Sequence, residues 1–335
     1  MMHAASFFTE SEKGKFRCEL CPHQCALSEG QTGLCHVRSI HDGIPVSANY
    51  GKITSLAMDP IEKKPLYHFY PGRMILSIGS LGCNFRCQHC QNEEISQCTR
   101  SYEGDLEVTA EQVLIDNALQ MQKPMIAFTY NEPIVSFEFV EDLARKGNPE
   151  DILFAMISNG YINPSPLQRL MKYIDAFNID LKAFTNDFYK AVTGGTLKPV
   201  LRTLESIKKS GKHLEITYLV IPGLNDDPDE FSRMIEFLVK ELGKSQVLHI
   251  SRYFPRFQMD LPPTPLKTII ELQSVAKSHL EYVYPGNIGP ELDSNTYCPS
   301  CQRLLIERAG YQSRITGLRN GKCINCDTEI NVVYE

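Results

Sequence analysis

This chain of 335 residues is predicted to fold as an α/β protein around a parallel sheet, on three observations. Apolar, β-rich runs recur through its middle, helical start signals stand between them, and several runs are apolar at nearly every position. Runs of that last kind belong to strands buried on both faces, which parallel sheets require.

The runs are Met74–Ser80, Met125–Tyr130, Ile152–Ser158, Ala176–Leu181, Leu214–Ile221 and Val247–Tyr253. Between them, Thr109 with Gln112 three residues on offers a capping box. Asp227-Pro228-Asp229-Glu230 offers an N-cap, a proline at the first helical position and early acids. Phe231, Met234, Ile235, Leu238 and Leu242 then fall on one helical face. Thr264-Pro265 opens another helix. Alternation of this kind implies parallel pairing through right-handed crossovers, in a doubly wound sheet or a full or partial β/α barrel. In either case ligands gather at the carboxyl ends of the strands. Tyr70-Pro71-Gly72 and Tyr284-Pro285-Gly286 read as edges of this core.

Composition narrows the functional classes. Apolar residues at 42% and charged residues at 22% describe a globular chain with a sizeable core. Lys plus Arg number 34 against 40 Asp plus Glu, so a net charge of −6 gives no general attraction for nucleic acid or anionic membranes. No apolar run approaches the roughly 18–20 residues of a membrane span. The N-terminus has no basic stretch followed by an apolar one, so a cytoplasmic location is expected rather than secretion. Twelve cysteines in such a chain point to metal or redox chemistry, not disulfides.

All but Cys98 fall into three groups. Cys83, Cys87 and Cys90 directly follow the first predicted strand in a C-x3-C-x2-C spacing, with no fourth cysteine nearby. Structural zinc closes four ligands. Three thiolates suit an iron–sulfur cubane better, since they hold three irons and leave the fourth open for a ligand. The alternative is a three-cysteine zinc site completed by His89, although a residue between two of the cysteines is poorly placed to reach the same ion.

The spacing C-x3-C-x2-C resembles the signature of the radical S-adenosylmethionine (radical SAM) superfamily. That resemblance implies a partial (β/α)6 barrel core over residues 71–290, between Cys-rich segments at 1–70 and 291–335. It implies a 4Fe-4S cluster on Cys83, Cys87 and Cys90, with SAM chelating the open iron. Further matches stand at successive strand ends. Glu132-Pro133 resembles the end of the superfamily's Gly-Gly-Glu-Pro segment, which meets the SAM amino group, with Tyr130 and Asn131 in place of the glycines. Ser158-Asn159-Gly160 resembles the ribose-contacting segment. Asp180 and Lys182 resemble the Asp-x-Lys strand end of glycyl-radical-enzyme activases, where both approach SAM. Thr217 to Asn225 resembles their fifth strand and following loop, near the adenine. Read without the resemblance, Asp180 and Lys182 form a strand-end ion pair and Glu132 starts a helix.

Cys298-x2-Cys301 and Cys323-x2-Cys326, separated by 21 residues, read as a four-thiolate zinc ribbon, with a rubredoxin-like iron or an extra cluster as alternatives. A segment of that size builds little core, so metal closure would supply folding energy. As a structural element it is a lid or a docking knob on the barrel. Cys18, Cys21, Cys25 and Cys35 could close a zinc site, which is slightly favoured, or hold an auxiliary iron–sulfur cluster, and His23 is a substitute ligand. The whole pattern, with Asp59–Gly72 between these groups, resembles the AmmeMemoRadiSam radical SAM proteins, relatives of the pyruvate formate-lyase activating enzyme. Memo-type and AMMECR-type partners are implied by that resemblance, together with an electron donor such as flavodoxin or ferredoxin.

The expected activity is therefore reductive cleavage of SAM to a 5′-deoxyadenosyl radical that takes hydrogen from a protein or small-molecule substrate. A glycyl-radical-enzyme activase is one version. A zinc-ribbon nucleic-acid-binding protein and a non-catalytic electron carrier are readings of other classes. His249, Arg252 and Tyr253, at the end of the sixth run, are second-rank candidates for the substrate site. Lys63 and Lys64 could attract an anion or be a solvated pair, and Cys98 could donate a hydrogen atom or be an inert thiol.

Overall fold

The structure, a computed structural model, describes residues 3–11, 14–97, 106–289 and 292–334. Its centre is an eight-stranded sheet of β1 (Ser55–Pro60), β2 (Met74–Gly79), β3 (Met125–Phe128), β4 (Leu153–Ser158), β5 (Ala176–Asp180), β6 (His213–Val220), β7 (Val247–Arg252) and β8 (Tyr282–Gly286). The strands lie side by side in sequence order, β1 antiparallel to β2 and every later pair parallel. β1 and β8 are the two edges, so the barrel is partial.

One principal helix follows each of β2 to β7: α1 (Glu111–Leu119), α2 (Phe137–Gly147), α3 (Pro164–Leu170), α4 (Leu197–Lys209), α5 (Pro228–Leu242) and α6 (Leu266–Lys277). These are the six expected β/α units, with β8 added. In α5 the predicted cap is realised, because Asp227 Oδ1 accepts the Glu230 N–H at 2.8 Å and Pro228 opens the helix. Its five periodic apolar residues are all buried. In α1 the predicted cap is not realised. Thr109 donates its N–H to Gly51 instead and Val108 bridges Lys52, so Ala110 takes the N-cap position and the helix starts one residue later without a side-chain cap.

Two strands are additions to the sequence reading. Tyr284-Pro285-Gly286, read as an edge of the core, lies in β8, where Pro285 is tolerated because an edge strand has one side free of ladder partners. β1 begins before the expected core boundary at 71, so the sheet draws its first strand from the N-terminal segment.

The base of the barrel is filled by Ile61–Tyr70. Ile61, Leu66, Phe69 and Tyr70 pack against Ile75, Met125, Ala127, Ala155 and Ala176. The segment is tied to β6 by Glu215, whose buried carboxylate accepts the N–H groups of Tyr67 at 3.0 Å and His68 at 2.7 Å. His213 and His249 contact the same carboxylate at 2.9 and 2.6 Å. Burial works to raise the Glu215 pKa, but these histidines outweigh it and hold the carboxyl well below its usual range. His249 therefore belongs to the base of the barrel and not to a substrate pocket.

The C-terminal unit docks on this same base, as a knob away from the carboxyl ends of the strands. Arg308 donates to Tyr67 O and Thr296 Oγ1, and its guanidinium lies 4.4 Å from the Tyr67 ring centre. His68 contacts Asn331 O and Tyr284 Oη at 2.7 and 2.6 Å. Val333 exchanges backbone hydrogen bonds with His68 and Tyr70. Among the described residues, no helix is long and apolar enough to cross a membrane.

Burial holds His68 neutral, lowering its pKa to about 3. An unfolded histidine titrates near 6.5, so below that pH the unfolded chain binds a proton that the folded chain refuses. Stability is then expected to fall on acidification, by at most ~1.4 kcal/mol per pH unit from this group. Urea midpoints measured from pH 7 to pH 5 should decline in the native chain, with a shallower slope in His68→Gln.

Candidate active site

A cavity opens at the carboxyl ends of the strands. The loop after β2 carries Cys83, Cys87 and Cys90 into its wall. Phe85 anchors that loop, its fully buried ring against Tyr161 and Tyr189. The backbone N–H groups of Arg86 and Gln88 reach Thr193 O and Val192 O at 2.8 and 3.2 Å. Gly82 begins the turn at φ +91°, and a Cβ there would stand 2.6 Å from Cys35 O.

Sulfur spacing separates the cysteine groups. Zn–S bonds of about 2.3 Å place tetrahedral sulfurs about 3.8 Å apart. Among the described residues, only Cys298/Cys301/Cys323/Cys326 and the exposed Glu29/His41/Asp42 bring three or more metal-ligating atoms within 4.8 Å of one another. In the C-terminal group, Cys298 and Cys326 Sγ are 3.5 Å apart and Cys301 and Cys323 Sγ 3.6 Å, as one tetrahedral ion requires. The central three line one cavity and are not gathered within 4.8 Å of one another as the C-terminal four are. His89 is not brought into a ligand set with them. It lines the cavity, buried, and its Nδ1 finds no hydrogen-bond partner among the described residues.

Cys18, Cys21, Cys25 and Cys35 line a separate, small cavity. They form no group within 4.8 Å. Among the described residues these four sulfurs are thus not gathered around one point as the C-terminal four are. Cys98 lies outside the described residues.

The residues expected at the other strand ends do converge on the main cavity. Glu132 follows β3 and is fully buried. Its Oε1 accepts from Ser158 Oγ at 2.8 Å and Ile134 N at 3.1 Å, and its Oε2 from Asn159 N at 2.8 Å. It is both a cavity carboxylate and the cap of the next helical turn. Burial raises its pKa to about 7, against those hydrogen bonds and with help from the Asp180 charge. A cationic ligand group would return it to the ionised form. Asn159 Nδ2 donates to Asn84 Oδ1 at 2.8 Å and lies 3.8 Å from Cys83 Sγ.

Asp180 and Lys182 form an ion pair at 3.1 Å, and both line the cavity. Burial works against the Lys182 ammonium, but the Asp180 charge prevails and holds it protonated. Thr217 also lines the cavity, whereas Asn225 is a brace, donating to Lys182 O at 2.7 Å and accepting from Ile221 N at 2.6 Å.

Tyr130 and Asn131, which stand where glycines were expected, have definable roles. Tyr130 takes the left-handed conformation, φ +71°, that a glycine there would take. Its hydroxyl donates to Asp59 Oδ2 at 2.6 Å. Asn131 ties the cysteine loop to β3, accepting from Ser80 N and donating to Gly82 O. Lys64 is no solvated residue, since it pairs with Asp59 at 2.7 Å, buried, over the Tyr130 ring. Lys63, half exposed, shares that carboxylate.

Arg252 and Tyr253 brace the following loop, Arg252 Nε donating to Thr264 O and Tyr253 Oη to Met259 O. Sequence reasoning missed Ser251, which supplies β7's contact with the cavity. Residues 247, 249 and 251 share one face by the two-residue period of a strand, and that period was the signal available. Asn178 was also missed. It is fully buried between Pro65 O and Thr217 Oγ1.

The partial β/α barrel brings three cysteines, an acid and an acid–lysine pair together at its strand ends, the arrangement of an enzyme site. This chain belongs to the radical SAM superfamily, whose family model matches residues 77–238. It is 41% identical to the uncharacterized protein MJ0808 of Methanocaldococcus jannaschii over 99% of this chain and 100% of that one. It is 24% identical to pyruvate formate-lyase 1-activating enzyme of Escherichia coli, over 51% of this chain and 71% of that one. The 4-hydroxyphenylacetate decarboxylase activating enzyme of Clostridium scatologenes is 28% identical, over 45% of this chain and 48% of that one. The fold is shared with Streptococcus suis SuiB solved with S-adenosylmethionine, at TM-score 0.50 and 13% identity over 67% of this chain and 52% of that one. Membership in an enzyme superfamily whose domain implies SAM and a 4Fe-4S cluster displaces the binding-module and electron-carrier readings.

Gly82→Ala should test the seat of the cysteine loop. The strained backbone and the contact with Cys35 O together cost on the order of 1–3 kcal/mol. The variant is expected to melt lower and to hold less iron after anaerobic reconstitution, as iron analysis and a thermal scan would read.

Proposed function

We propose that the chain binds a 4Fe-4S cluster on Cys83, Cys87 and Cys90 and SAM in the cavity beside it, and catalyses hydrogen abstraction from a protein or small-molecule substrate. The observation that carries this is the convergence of the three cysteines with Glu132, Asp180 and Lys182 on one cavity. When bound, the cluster supplies one electron that splits the SAM sulfonium, leaving methionine and a 5′-deoxyadenosyl radical that takes the substrate hydrogen. Glu132 offers an acceptor for the SAM amino group, its carboxylate oriented by Ser158 and the Asn159 N–H. Lys182, held protonated, offers a donor to carboxylate or ribose oxygens, and Asp180 orients it.

An activase, taking hydrogen from a glycine of a partner protein, is the version favoured by the similarity to the two activating enzymes. One-electron reduction would come from a flavodoxin- or ferredoxin-type donor. The resemblance to AmmeMemoRadiSam proteins supports Memo-type and AMMECR-type proteins as candidate partners. At the C-terminal knob we propose zinc, on the tetrahedral sulfur spacing and the small core available to fold without it.

The anaerobically reconstituted, dithionite-reduced chain should release 5′-deoxyadenosine from SAM. Cys87→Ala should abolish that release, and undiminished release would overturn the assignment. Glu132→Gln should weaken SAM binding about tenfold, the scale of one charge-assisted hydrogen bond. Cobalt titrated into the metal-depleted protein should give one equivalent with a tetrahedral thiolate spectrum, lost in Cys301→Ala together with thermal stability.

A further inference from the structure

We propose that Cys18, Cys21, Cys25 and Cys35 ligate a second iron–sulfur cubane, closed by four protein thiolates and set against the wall of the first site. All four cysteines line one small cavity, which is otherwise apolar apart from His23, Arg38 and Asn84. Their sulfurs surround that space without any three coming within 4.8 Å of one another, unlike the C-terminal four. A cubane carries its irons on separate corners and holds thiolates at such wider spacing, whereas a single zinc ion does not. With four thiolates present, no corner is left for a substrate, so this centre is suited to carrying an electron.

A second observation points into the same cavity. Arg38 is almost fully buried there, with its terminal nitrogens engaged by Glu138 at 2.9–3.1 Å and by Ser6 O. Its Nε finds no hydrogen-bond partner among the described residues. Four thiolates on an oxidised cubane core form a dianion, and a buried N–H of a cationic side chain is the donor that such sulfurs accept.

The two sites share their structure. Asn84, next in the chain to Cys83, lines the N-terminal cavity and accepts from Asn159 at its side chain and from His23 Nε2, at 2.7 Å, at its carbonyl if that nitrogen carries the proton. Gly82 must lack a side chain because Cys35 O lies against it. The outer cubane would thus stand one residue layer from the inner one.

The test uses the full chain with Cys83, Cys87 and Cys90 all replaced by Ala, reconstituted anaerobically with iron and sulfide. It should retain about four irons and four sulfides per chain and give a reduced-cubane electron paramagnetic resonance signal. Further replacement of Cys18 and Cys25 by Ser should remove both. Zinc in place of iron, about two irons, or none would overturn the proposal. Should the triple variant not fold, the native chain should hold about eight irons and Cys18→Ser/Cys25→Ser about four, an unchanged count overturning it. Because the first variant has no ligands for the inner cluster, its outcome is independent of whether SAM is cleaved.

Discussion

Distance between thiolates is the constraint on which the rest of this structure turns. The same residue type occurs in three groups, and the backbone around each one sets how far apart the sulfurs stand. Two C-x2-C turns at the C-terminus bring four together around a point. The loop after β2 spreads three along the wall of a cavity, and the N-terminal loops spread four around another. Chemistry follows from that spacing, since a single ion, an incomplete cubane and a closed cubane make different demands on the same ligand atom.

The barrel holds the second of these arrangements against the cavity at its strand ends. Its base is closed by Ile61–Tyr70, fixed by one carboxylate, Glu215, that receives two backbone N–H groups and two histidines. A buried carboxylate satisfied this fully is rigid, and leaving any partner out would strand a charge. The C-terminal knob adds Arg308 to the same base. Stability is thereby concentrated at the amino ends of the strands, leaving the carboxyl ends for polar residues with unused hydrogen-bonding capacity, such as Lys182 and His89.

The sequence was most legible where local rules and tertiary structure agree. The six runs became parallel strands because each was apolar enough to be buried on both faces, and Asp227-Pro228 started α5 as its chemistry dictates. It was least legible where distant segments compete for the same backbone. Thr109 gave up its capping role to pair with Gly51, and Pro285 entered a strand because it lies at an edge. Within the site, strand order brought Glu132, Asp180 and Lys182 to one cavity, where the ion pair and the helical cap also form. His249 was misplaced by two residues of strand, enough to move it from the mouth to the base. The spacing of the N-terminal sulfurs was beyond reach, because C-x2-C-x3-C-x9-C says nothing about how those loops close.

The proposed chemistry requires one iron of the central cluster to be open to SAM. Electron–nuclear double resonance on the reduced protein, with SAM labelled by nitrogen-15 at its amino group and oxygen-17 at its carboxylate, measures this directly. Coupling of both labels to the cluster spin is the result expected. A reduced cubane that shows neither coupling with SAM bound, its fourth iron held by a protein side chain, would contradict it.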